Sequence, residues 1–194
     1  MAENRIQNQN MNKKRIRKEV LTARNNLSLA EREGAAVLLA ERICGHPWFY
    51  HAETILAFVS YGSEIDTAKI INEALKLGKK VYVPKVQGED MNFYRICNWS
   101  ELEEGYKGIL EPTGATECYA YQPREAEKVL MLMPGAVFDK NRNRIGYGKG
   151  FYDRFLSDKQ KLQLRTIGVG FQCQLVEALE AEEWDIKPCQ VICV

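Results

Sequence analysis

The chain has 194 residues, of which 45% are hydrophobic, and its 27 Lys and Arg against 26 Asp and Glu give a formal net charge of +1. A chain of this length and apolar content can bury one sizeable core, which predicts a single domain over residues 1–194. The near-neutral charge argues against a dedicated nucleic-acid binder. No apolar run approaches the roughly 20 residues of a membrane span, and no signal-peptide pattern is present. We therefore expect a cytoplasmic protein without a membrane partner.

The N-terminal region divides into two parts. Residues 1–11 are rich in Asn and Gln without apolar periodicity, so we expect a loose terminus there. Three apolar residues at helical spacing predict a helix over residues 13–25, namely Ile16, Val20 and Leu21. Lys13 and Arg17 then lie one turn apart on one face of this helix. Charge alone favours a solvated basic face for that pair.

Strand-like and helix-like patterns alternate through the rest of the chain. The predicted strands cover residues 54–59, 80–83 (ended by Pro84), 91–96, 129–133, 166–170 and 191–194. The predicted helices are one opened by the Ser28–Glu31 capping box, one over residues 67–77 ended by Gly78, and one over residues 153–161. This order predicts an α/β fold. We expect a mostly parallel central sheet flanked by helices, with the active site at the carboxyl ends of the strands.

A passage with three alternating glycines, residues 133–156, joins a predicted strand to a predicted helix. Gly146, Gly148 and Gly150 allow positive φ and leave no Cβ between the backbone amides and a ligand. Such a row of N–H donors before a helix binds anions. Arg144 and Lys149 add full positive charges. The passage therefore predicts a phosphate-binding site.

Two common phosphate-binding motifs do not fit this passage. A Walker loop requires Ser or Thr after Gly-Lys, but Gly150 follows Gly148 and Lys149. A dinucleotide fingerprint requires a third glycine at the position of Phe151. Asp153, at the start of the predicted helix, is a candidate ligand for a metal ion held against phosphate oxygens.

The passage resembles the signature of the 5-formyltetrahydrofolate cyclo-ligases, also called 5,10-methenyltetrahydrofolate synthetases. Their pattern is Pro-Gly-x-x-Phe-Asp, a short turn, and Arg-Leu-Gly-x-Gly-x-Gly-Tyr-Tyr-Asp. It is matched here by Pro134, Gly135, Phe138, Asp139, Arg144, Gly146, Gly148, Gly150, Tyr152 and Asp153. Ile145 and Phe151 are conservative departures. Three further motifs agree in order along the chain: Lys13 with Arg17, Glu64-Ile65-Asp66-Thr67, and Gly108 with Glu111-Pro112.

The resemblance implies a role for each matching residue. The implied ATP-binding residues are Lys13, Lys14, Arg15, Ile16 and Arg17, and Arg144, Ile145, Gly146, Tyr147, Gly148, Lys149, Gly150, Phe151 and Tyr152. The implied folate-binding residues are Tyr61, Glu64, Asp66, Tyr147, Gly148, Lys149, Gly150 and Phe151. Arg144, Lys149 and Tyr152 are the implied catalytic residues, and Asp153 and Asp185 are the implied Mg²⁺ ligands.

Two acidic residues also have structural interpretations from the sequence. Asp66 precedes Thr67 at a predicted helix start, where Asp is a frequent N-terminal cap. Whether Glu64 or Asp66 contacts the folate is left open by the sequence. Asp139 follows Phe138 at a turn, which its side chain is expected to shape through bonds to the backbone.

The resemblance also implies a reaction and its partners. The reaction is the ATP- and Mg²⁺-dependent cyclisation of 5-formyltetrahydrofolate to 5,10-methenyltetrahydrofolate, with release of ADP and phosphate. The substrate carries one or more glutamates, and we expect a monomer that binds no nucleic acid. Two alternatives stay open: another phosphate- or nucleotide-binding α/β enzyme, and a non-catalytic module that binds RNA or protein through its basic N-terminal helix.

Overall fold

Apolar side chains alternate between the two faces of the strand at residues 129–133, and helices cover both faces. Leu130 and Leu132 belong to one buried cluster, while Val129, Met131 and Met133 belong to another. A strand buried on both faces is typical of a parallel sheet between two helical layers. The computed structural model describes residues 2–113, 116–180, 182 and 185–194. Met1, part of the predicted loose terminus, lies outside them.

The described residues form the following elements in chain order. The helices are α1 Ala2–Asn25, α2 Leu29–Cys44, α3 Pro47–His51, α4 Ala68–Lys76, α5 Phe151–Leu156 and α6 Gln160–Gln163. The strands are β1 Thr54–Leu56, β2 Lys80–Gln87, β3 Asp90–Ile96, β4 Leu102–Glu104, β5 Leu110–Pro112, β6 Val129–Met133, β7 Val137–Asp139, β8 Arg144–Ile145, β9 Thr166–Gly170, β10 Leu175–Val176 and β11 Gln190–Cys193.

The central sheet has six strands in the order β11-β9-β6-β1-β2-β3. Every neighbouring pair is parallel except the antiparallel pair of β2 with β3 at one edge. Helices α2 and α4 carry Leu39, Ile43, Ile70 and Ile71 into the core on one face. Helices α5 and α6 carry Phe155, Leu156 and Leu162 into the core on the other. The predicted α/β class with a mostly parallel sheet flanked by helices is confirmed.

A second, smaller sheet holds the passage that contains the glycines. It has the order β10-β7-β8, and β8 leads directly into Gly146. Ile16 and Val20 of α1 pack against Val137 and Ile145 of this sheet. The apolar stripe of α1 therefore fixes the helix beside the glycine loop. The sequence did not predict these short strands between β6 and the loop.

The prediction that Pro84 ends its strand is wrong. Strand β2 continues to Gln87, and Pro84 pairs with Phe93 of β3. Proline instead ends the pairing of β2 with β1. Ala57 donates its N–H to the carbonyl of Tyr82 at 3.0 Å, and the next bond of this parallel ladder would need an N–H that Pro84 lacks. The predicted strand over residues 54–59 accordingly ends at Leu56.

Two helix boundaries also differ from prediction. Helix α1 begins at Ala2 instead of residue 13, so the predicted loose terminus is helical. No Gly or Pro stands between residues 2 and 25, and extending a helix costs less than nucleating one. The helix predicted over residues 153–161 is divided into α5 and α6. Ser157 Oγ donates to the carbonyl of Arg154 at 2.8 Å, a local bond that competes with helix continuation.

Asp139 has the turn-shaping role that its position predicts. Its Oδ1 accepts from the Asn143 N–H at 2.7 Å, and its Oδ2 accepts from Asn143 Nδ2 at 2.7 Å and from the Leu179 N–H at 2.8 Å. The side chain is buried, so these bonds satisfy a carboxylate that water cannot reach. Within the described residues, no helix combines the length and apolar character that crossing a bilayer would require.

Candidate active site

A cleft of about 650 Å³ lies between α1, the glycine loop and the start of α5. Pro134, which directly follows β6, lines it, so the cleft opens at the carboxyl end of that central strand. This is the edge where ligands of open α/β sheets bind. The loop contributes every residue from Arg144 to Arg154, and α1 contributes Lys13, Lys14 and Arg17.

The glycine loop adopts a backbone that side chains would disturb. Gly148 has φ 85° and Gly150 has φ 64°, both in the left-handed region. A Cβ on Gly148 would also stand 3.2 Å from Arg17 Nη1. Arg17 lies against the loop because its Nη1 donates to the carbonyl of Gly146 at 3.3 Å. The loop and α1 therefore make one surface with backbone and guanidinium donors side by side.

Charged side chains of both signs line this cleft. The cations are Lys13, Lys14, Arg17, Arg144, Lys149 and Arg154, and the acids are Asp153, Glu182 and Asp185. Lys13 Nζ lies 2.8 Å from Asp185 Oδ2 and 3.4 Å from Glu182 Oε1. Arg144 Nη2 lies 2.8 Å from Asp153 Oδ1. The excess of cations suits a ligand with several negative charges.

Two donors beside the cleft lack partners. Arg144 Nε and Tyr152 Oη are buried, and neither has a hydrogen-bond partner among the described residues. The Arg144 side chain is only 5% exposed, and its guanidinium carbon lies 5.8 Å from the centre of the Tyr152 ring. Burial raises the pKa of Tyr152 well above its usual value, so the hydroxyl stays protonated. Donors left unsatisfied at buried positions are explained by a catalytic role, an ordered water or an ion.

Two members of the predicted ATP set lie outside the cleft. Arg15 is exposed and pairs with Glu19 at 2.9 Å along α1. Ile16 packs in the apolar cluster with Val137. Arg15 lies two positions after Lys13, on the opposite side of the helix. Ile16 is a neighbour of Lys13 along the helix, but it lies on the flank that packs against the small sheet.

The residues predicted to bind folate are divided between two places. Tyr147 and the glycines line the cleft, whereas Glu64 lies behind Tyr147 and lines a small pocket with it and with Arg24. Burial raises the pKa of Glu64, and the bonds from Tyr147 and from the Tyr61 N–H, with the charge of Arg24, oppose that rise. Burial beside Glu64 also raises the pKa of Tyr147 well above its usual value.

Asp66 supports the start of α4 from the position before the N-cap residue, which is Thr67. Its Oδ1 accepts from the Ala68 N–H in the first turn of α4 at 2.8 Å and from Ser60 Oγ at 3.2 Å. The Tyr61 ring is about half exposed and stands beside Gly108. Asp66 and Tyr61 do not line the cleft, although the contact of Glu64 with Tyr147 joins their loop to it.

The Gly108, Glu111 and Pro112 motif has a structural place outside the cleft. Glu111 is buried, and its Oε1 accepts from the Val86 N–H at 3.1 Å. Lys85 Nζ donates to the carbonyl of Pro112 at 2.6 Å. These bonds hold β5 against the end of β2, where β1 no longer pairs.

The structure tests the fit of a metal ion to the two predicted ligands. Among the described residues, no group of three or more His, Cys, Asp or Glu is arranged to hold a metal. Mg²⁺ does not require such a group, because it commonly binds through one or two carboxylates, substrate phosphates and water. Arg144 and the Ile186 N–H both donate to Oδ1 of Asp153, so Oδ2 takes neither bond. Asp153 and Asp185 line one cleft and fit Mg²⁺ carried by a phosphate ligand.

Sequence reasoning missed three charged residues of this region. Arg24 is 5% exposed and donates to Tyr147, while Arg154 and Glu182 line the cleft. Arg24 stands seven positions after Arg17, two helical turns along the same face, which was the available signal. Glu182 carries no comparable signal because it lies in an acidic stretch without periodicity.

Comparisons with known proteins agree with the geometry. A model of the 5-formyltetrahydrofolate cyclo-ligase family matches residues 9–194. The 5-formyltetrahydrofolate cyclo-ligase of Escherichia coli (strain K12) is 34% identical over 150 residues, which cover 76% of this chain and 81% of that protein. The Mus musculus protein of the same name is 28% identical over 198 residues, covering 94% of each chain.

Solved structures agree as well. The Aquifex aeolicus 5,10-methenyltetrahydrofolate synthetase superposes with a TM-score of 0.77 at 32% identity, covering 91% of this chain and 86% of that one. The Mycoplasma pneumoniae 5,10-methenyltetrahydrofolate synthetase, with a TM-score of 0.70 at 22% identity, shares the fold. With a family match along nearly its whole length and a cleft built from the family's own motifs, this chain belongs to the 5-formyltetrahydrofolate cyclo-ligase family of enzymes.

Proposed function

We propose that this enzyme cyclises 5-formyltetrahydrofolate to 5,10-methenyltetrahydrofolate with consumption of ATP in the presence of Mg²⁺. The observation that carries the proposal is one cleft in which the glycine loop, six cations and two unpartnered buried donors converge. A triphosphate matches this combination, because it offers many acceptor oxygens and several negative charges.

The chemistry explains why a nucleotide is needed. The N5 formyl group is an amide, and direct attack by N10 on its carbon would have to expel oxide or hydroxide, which are poor leaving groups. Phosphorylation of the formyl oxygen by ATP releases ADP and makes that oxygen part of a phosphate. N10 then attacks the formyl carbon, the C–O bond breaks, and phosphate leaves as the N5 lone pair forms the methenyl bond. The N10 proton is released.

The residues of the cleft support the phosphoryl transfer by positioning and charge. The backbone from Gly146 to Gly150 holds the phosphates, and Lys13, Arg17, Arg144 and Lys149 neutralise them. Phosphoryl transfer needs little else from a protein, because its transition state spreads negative charge over the equatorial oxygens. Fixed donors aimed at that charge stabilise it without reorganisation.

Tyr152 and Arg144 serve as donors at the point of transfer. The raised pKa of Tyr152 keeps its hydroxyl a donor and not a base. Arg144 Nε is available while Nη2 remains bonded to Asp153. The neighbouring Phe151 ring borders the same cleft and excludes water from the phosphorylated intermediate.

Asp153 and Asp185 would hold Mg²⁺ on the nucleotide. When bound, the ion neutralises phosphate charge and orients the transferring group. On the folate side, Glu64 is the better acceptor of the two acids, because Asp66 already supports the start of α4. Tyr147 belongs to the glycine loop and shares a small pocket with Glu64, which suits a place where the two substrates meet.

The proposal extends to the setting of the reaction. We infer a monomeric enzyme of the cytoplasm, where ATP is available, acting on folates with or without a polyglutamate tail and without nucleic-acid or membrane partners. Its net charge of +1 supports the absence of a nucleic-acid partner, because a dedicated nucleic-acid binder usually has a large excess of cations. Size-exclusion chromatography would test the monomer.

In the first experiment, the purified protein is incubated with 5-formyltetrahydrofolate and Mg²⁺, with and without ATP, and the absorbance of the methenyl chromophore is measured. A rise that requires ATP is the expected result. Turnover without ATP would indicate another α/β enzyme. No turnover, combined with salt-sensitive RNA binding, would indicate a binding module.

A further inference from the structure

A buried arginine that the reaction does not use lies behind the glycine loop. Arg24 is 5% exposed and stands near the end of α1, outside the cleft. Its Nη1 donates to Tyr147 Oη at 2.7 Å, and its Nε donates to Ser63 Oγ at 2.9 Å. Its guanidinium carbon lies 5.8 Å from the centre of the Tyr147 ring.

Tyr147 connects Arg24 to two functional groups, the glycine loop and the Glu64 carboxylate. It stands between Gly146 and Gly148, so fixing its side chain fixes the backbone at the centre of the phosphate loop. Tyr147, Arg24 and Glu64 also line one small pocket, where the Tyr147 hydroxyl and the charge of Arg24 lower the pKa of the Glu64 carboxyl against the effect of burial. Glu64 is held from the other side by the Tyr61 N–H, which donates to Oε2 at 3.0 Å. Arg24, Tyr147 and Glu64 thus form one row that joins α1, the glycine loop and the loop after β1.

Stability alone is a weak reason to bury a guanidinium at this place. Moving a charge out of water is costly, and replacing buried ionic groups with apolar ones is often neutral or stabilising. Arg24 follows Val20 by one turn on the buried side of α1, a position where an apolar residue would continue the stripe. The planar guanidinium, in contrast, can direct two donors at fixed angles.

We propose that Arg24 is a positioning residue for the cyclisation, which holds Tyr147 and, through it, both the glycine loop and the Glu64 carboxylate, without touching either substrate. The inference rests on the proposed function, because it assigns Glu64 to the folate and the loop to ATP. It adds a residue that acts on both substrate sites at once.

Electrostatics give the proposal a signature in pH. Arg24 and the Tyr147 hydroxyl both oppose the rise in the pKa of Glu64 that burial causes. Tyr152 lies within electrostatic reach of Glu64 on the cleft side, and Arg32, Glu33, Asp66 and Lys69 share a second cleft with it. An ionised carboxylate is a stronger hydrogen-bond acceptor than a neutral carboxyl group, so folate binding weakens as pH falls through this pKa. Loss of Arg24 or of the Tyr147 hydroxyl raises the pKa further and moves that loss to higher pH.

The test measures KM for 5-formyltetrahydrofolate and for ATP against pH in wild type, Arg24→Gln, Tyr147→Phe and the double variant. Each single variant is expected to raise both KM values about tenfold, the size of one lost hydrogen bond to a charged group. The acid limb of the folate KM profile is expected to move to higher pH. The double variant should be little worse than the worse single variant, because the two residues act in series.

The controls separate positioning from folding. Tyr82→Phe removes the hydroxyl of a buried tyrosine that donates to Glu117, and neither residue lines the cleft, so both KM values and the pH profile should be unchanged. Arg24→Lys keeps the positive charge but lacks the planar guanidinium with its several donors. Compared with Arg24→Gln, it should return the acid limb of the folate KM profile closer to wild type than it returns the KM for ATP. Tyr147→Phe keeps its ring, so it carries the test if Arg24→Gln does not fold.

Three outcomes would overturn the role. Wild-type KM values in Tyr147→Phe would do so, and so would an unmoved acid limb in the single variants or fully additive losses in the double variant. A merely structural arginine would lower the active fraction, and hence the apparent kcat, with both KM values intact. A wild-type chain without ATP-dependent turnover would overturn the proposed function itself, and this role with it, before any variant is compared.

Discussion

Two of the cations that we propose for phosphate binding are paired with the two proposed metal ligands. Lys13 Nζ lies 2.8 Å from Asp185 Oδ2, and Arg144 Nη2 lies 2.8 Å from Asp153 Oδ1. When a nucleotide binds with Mg²⁺, its phosphates would pair with Lys13 and Arg144, and the metal ion would pair with the carboxylates of Asp185 and Asp153. Each member of a pair then exchanges one opposite charge for another. Removing one member therefore removes a ligand and also leaves its partner uncompensated.

Asp153→Ala should reduce turnover by about a hundredfold, because one fixed charge at the transferring phosphate is lost. It should also destabilise the fold by about 1–3 kcal/mol, since the nearly buried Arg144 loses its charged acceptor. Asp153→Asn keeps an acceptor oxygen for Arg144, so it should lose turnover with a smaller stability cost. Methenyl absorbance and urea unfolding measure the two effects. Wild-type turnover in folded Asp153→Asn would contradict the metal role.

Lys13→Ala should raise the KM for ATP about tenfold, the effect of one lost charge-assisted contact. Lys18→Ala is the matched control, because Lys18 is an exposed lysine of the same helix and does not line the cleft. Steady-state kinetics at varied ATP and saturating folate compare the two. If the KM for ATP were equal in the two variants, Lys13 would have only a structural role, as the ion-pair partner of Asp185.

At the scale of elements, the site depends on how α1 meets the glycine loop. Apolar residues of α1 pack against β7 and β8, and Arg17 of the same helix donates to the loop carbonyl at Gly146. One helix therefore supplies apolar packing residues on one side and, on another, the cations that we propose for phosphate binding. The packing residues were visible in the sequence as a stripe, whereas the partner of that stripe was not.

Gly148→Ala should destabilise the chain by about 1–2 kcal/mol, the cost of a left-handed backbone for a residue with a Cβ. Its new methyl group would also approach Arg17 Nη1 at 3.2 Å and displace it, so ATP affinity should fall. Gly34→Ala in α2 is the control, because a Cβ there meets nothing within 4 Å. It should stabilise the chain by roughly 0.5–1 kcal/mol through helix propensity. Thermal unfolding measures the stability of the two variants, and ATP titration measures their affinity. If Gly148→Ala had wild-type stability and wild-type ATP affinity, this loop geometry would be excluded.

At the scale of the whole molecule, the cleft gathers residues from distant parts of the chain. Lys13 and Asp185 are 172 positions apart, and Arg17 and Gly146 are 129 apart. Helix α1 contacts both the glycine loop that follows β6 and the segment before β11, so it brings these parts together. A ligand that bridges these parts should stabilise the entire fold.

ATP with Mg²⁺ should therefore raise the thermal unfolding temperature. At 100 times Kd a ligand contributes about 2.7 kcal/mol, which corresponds to roughly 5–10 °C for a chain of this length. EDTA in excess should remove much of this shift, because without Mg²⁺ the negative carboxylates repel the negative phosphates. Differential scanning calorimetry with ATP, Mg²⁺, both, and both with EDTA measures it. A shift unchanged by EDTA would contradict the metal requirement.

Some predictions from the sequence depended on local rules, and the structure confirms these. The Ser28 and Glu31 capping box starts α2, Asp139 shapes its turn, and β6 is buried on both faces. Predictions that depended on distant neighbours were less accurate. Pro84 was expected to end a strand, but which ladder it ends depends on a β1 carbonyl that no local pattern reveals. The two- and three-residue strands of the small sheet have too few residues for a period to be recognised.

The sequence by itself determined the family and predicted a phosphate-binding site, because alternating glycines with adjacent cations and a following acid are a contiguous pattern. Only the tertiary structure decided which charged residues share the cleft. It separated Lys13 and Arg17 from Arg15, assigned Asp66 to a helix start, and revealed Arg24 behind Tyr147. The physical reason is that charge pairing and burial depend on distances between segments, and those distances are set by the packing of the whole sheet.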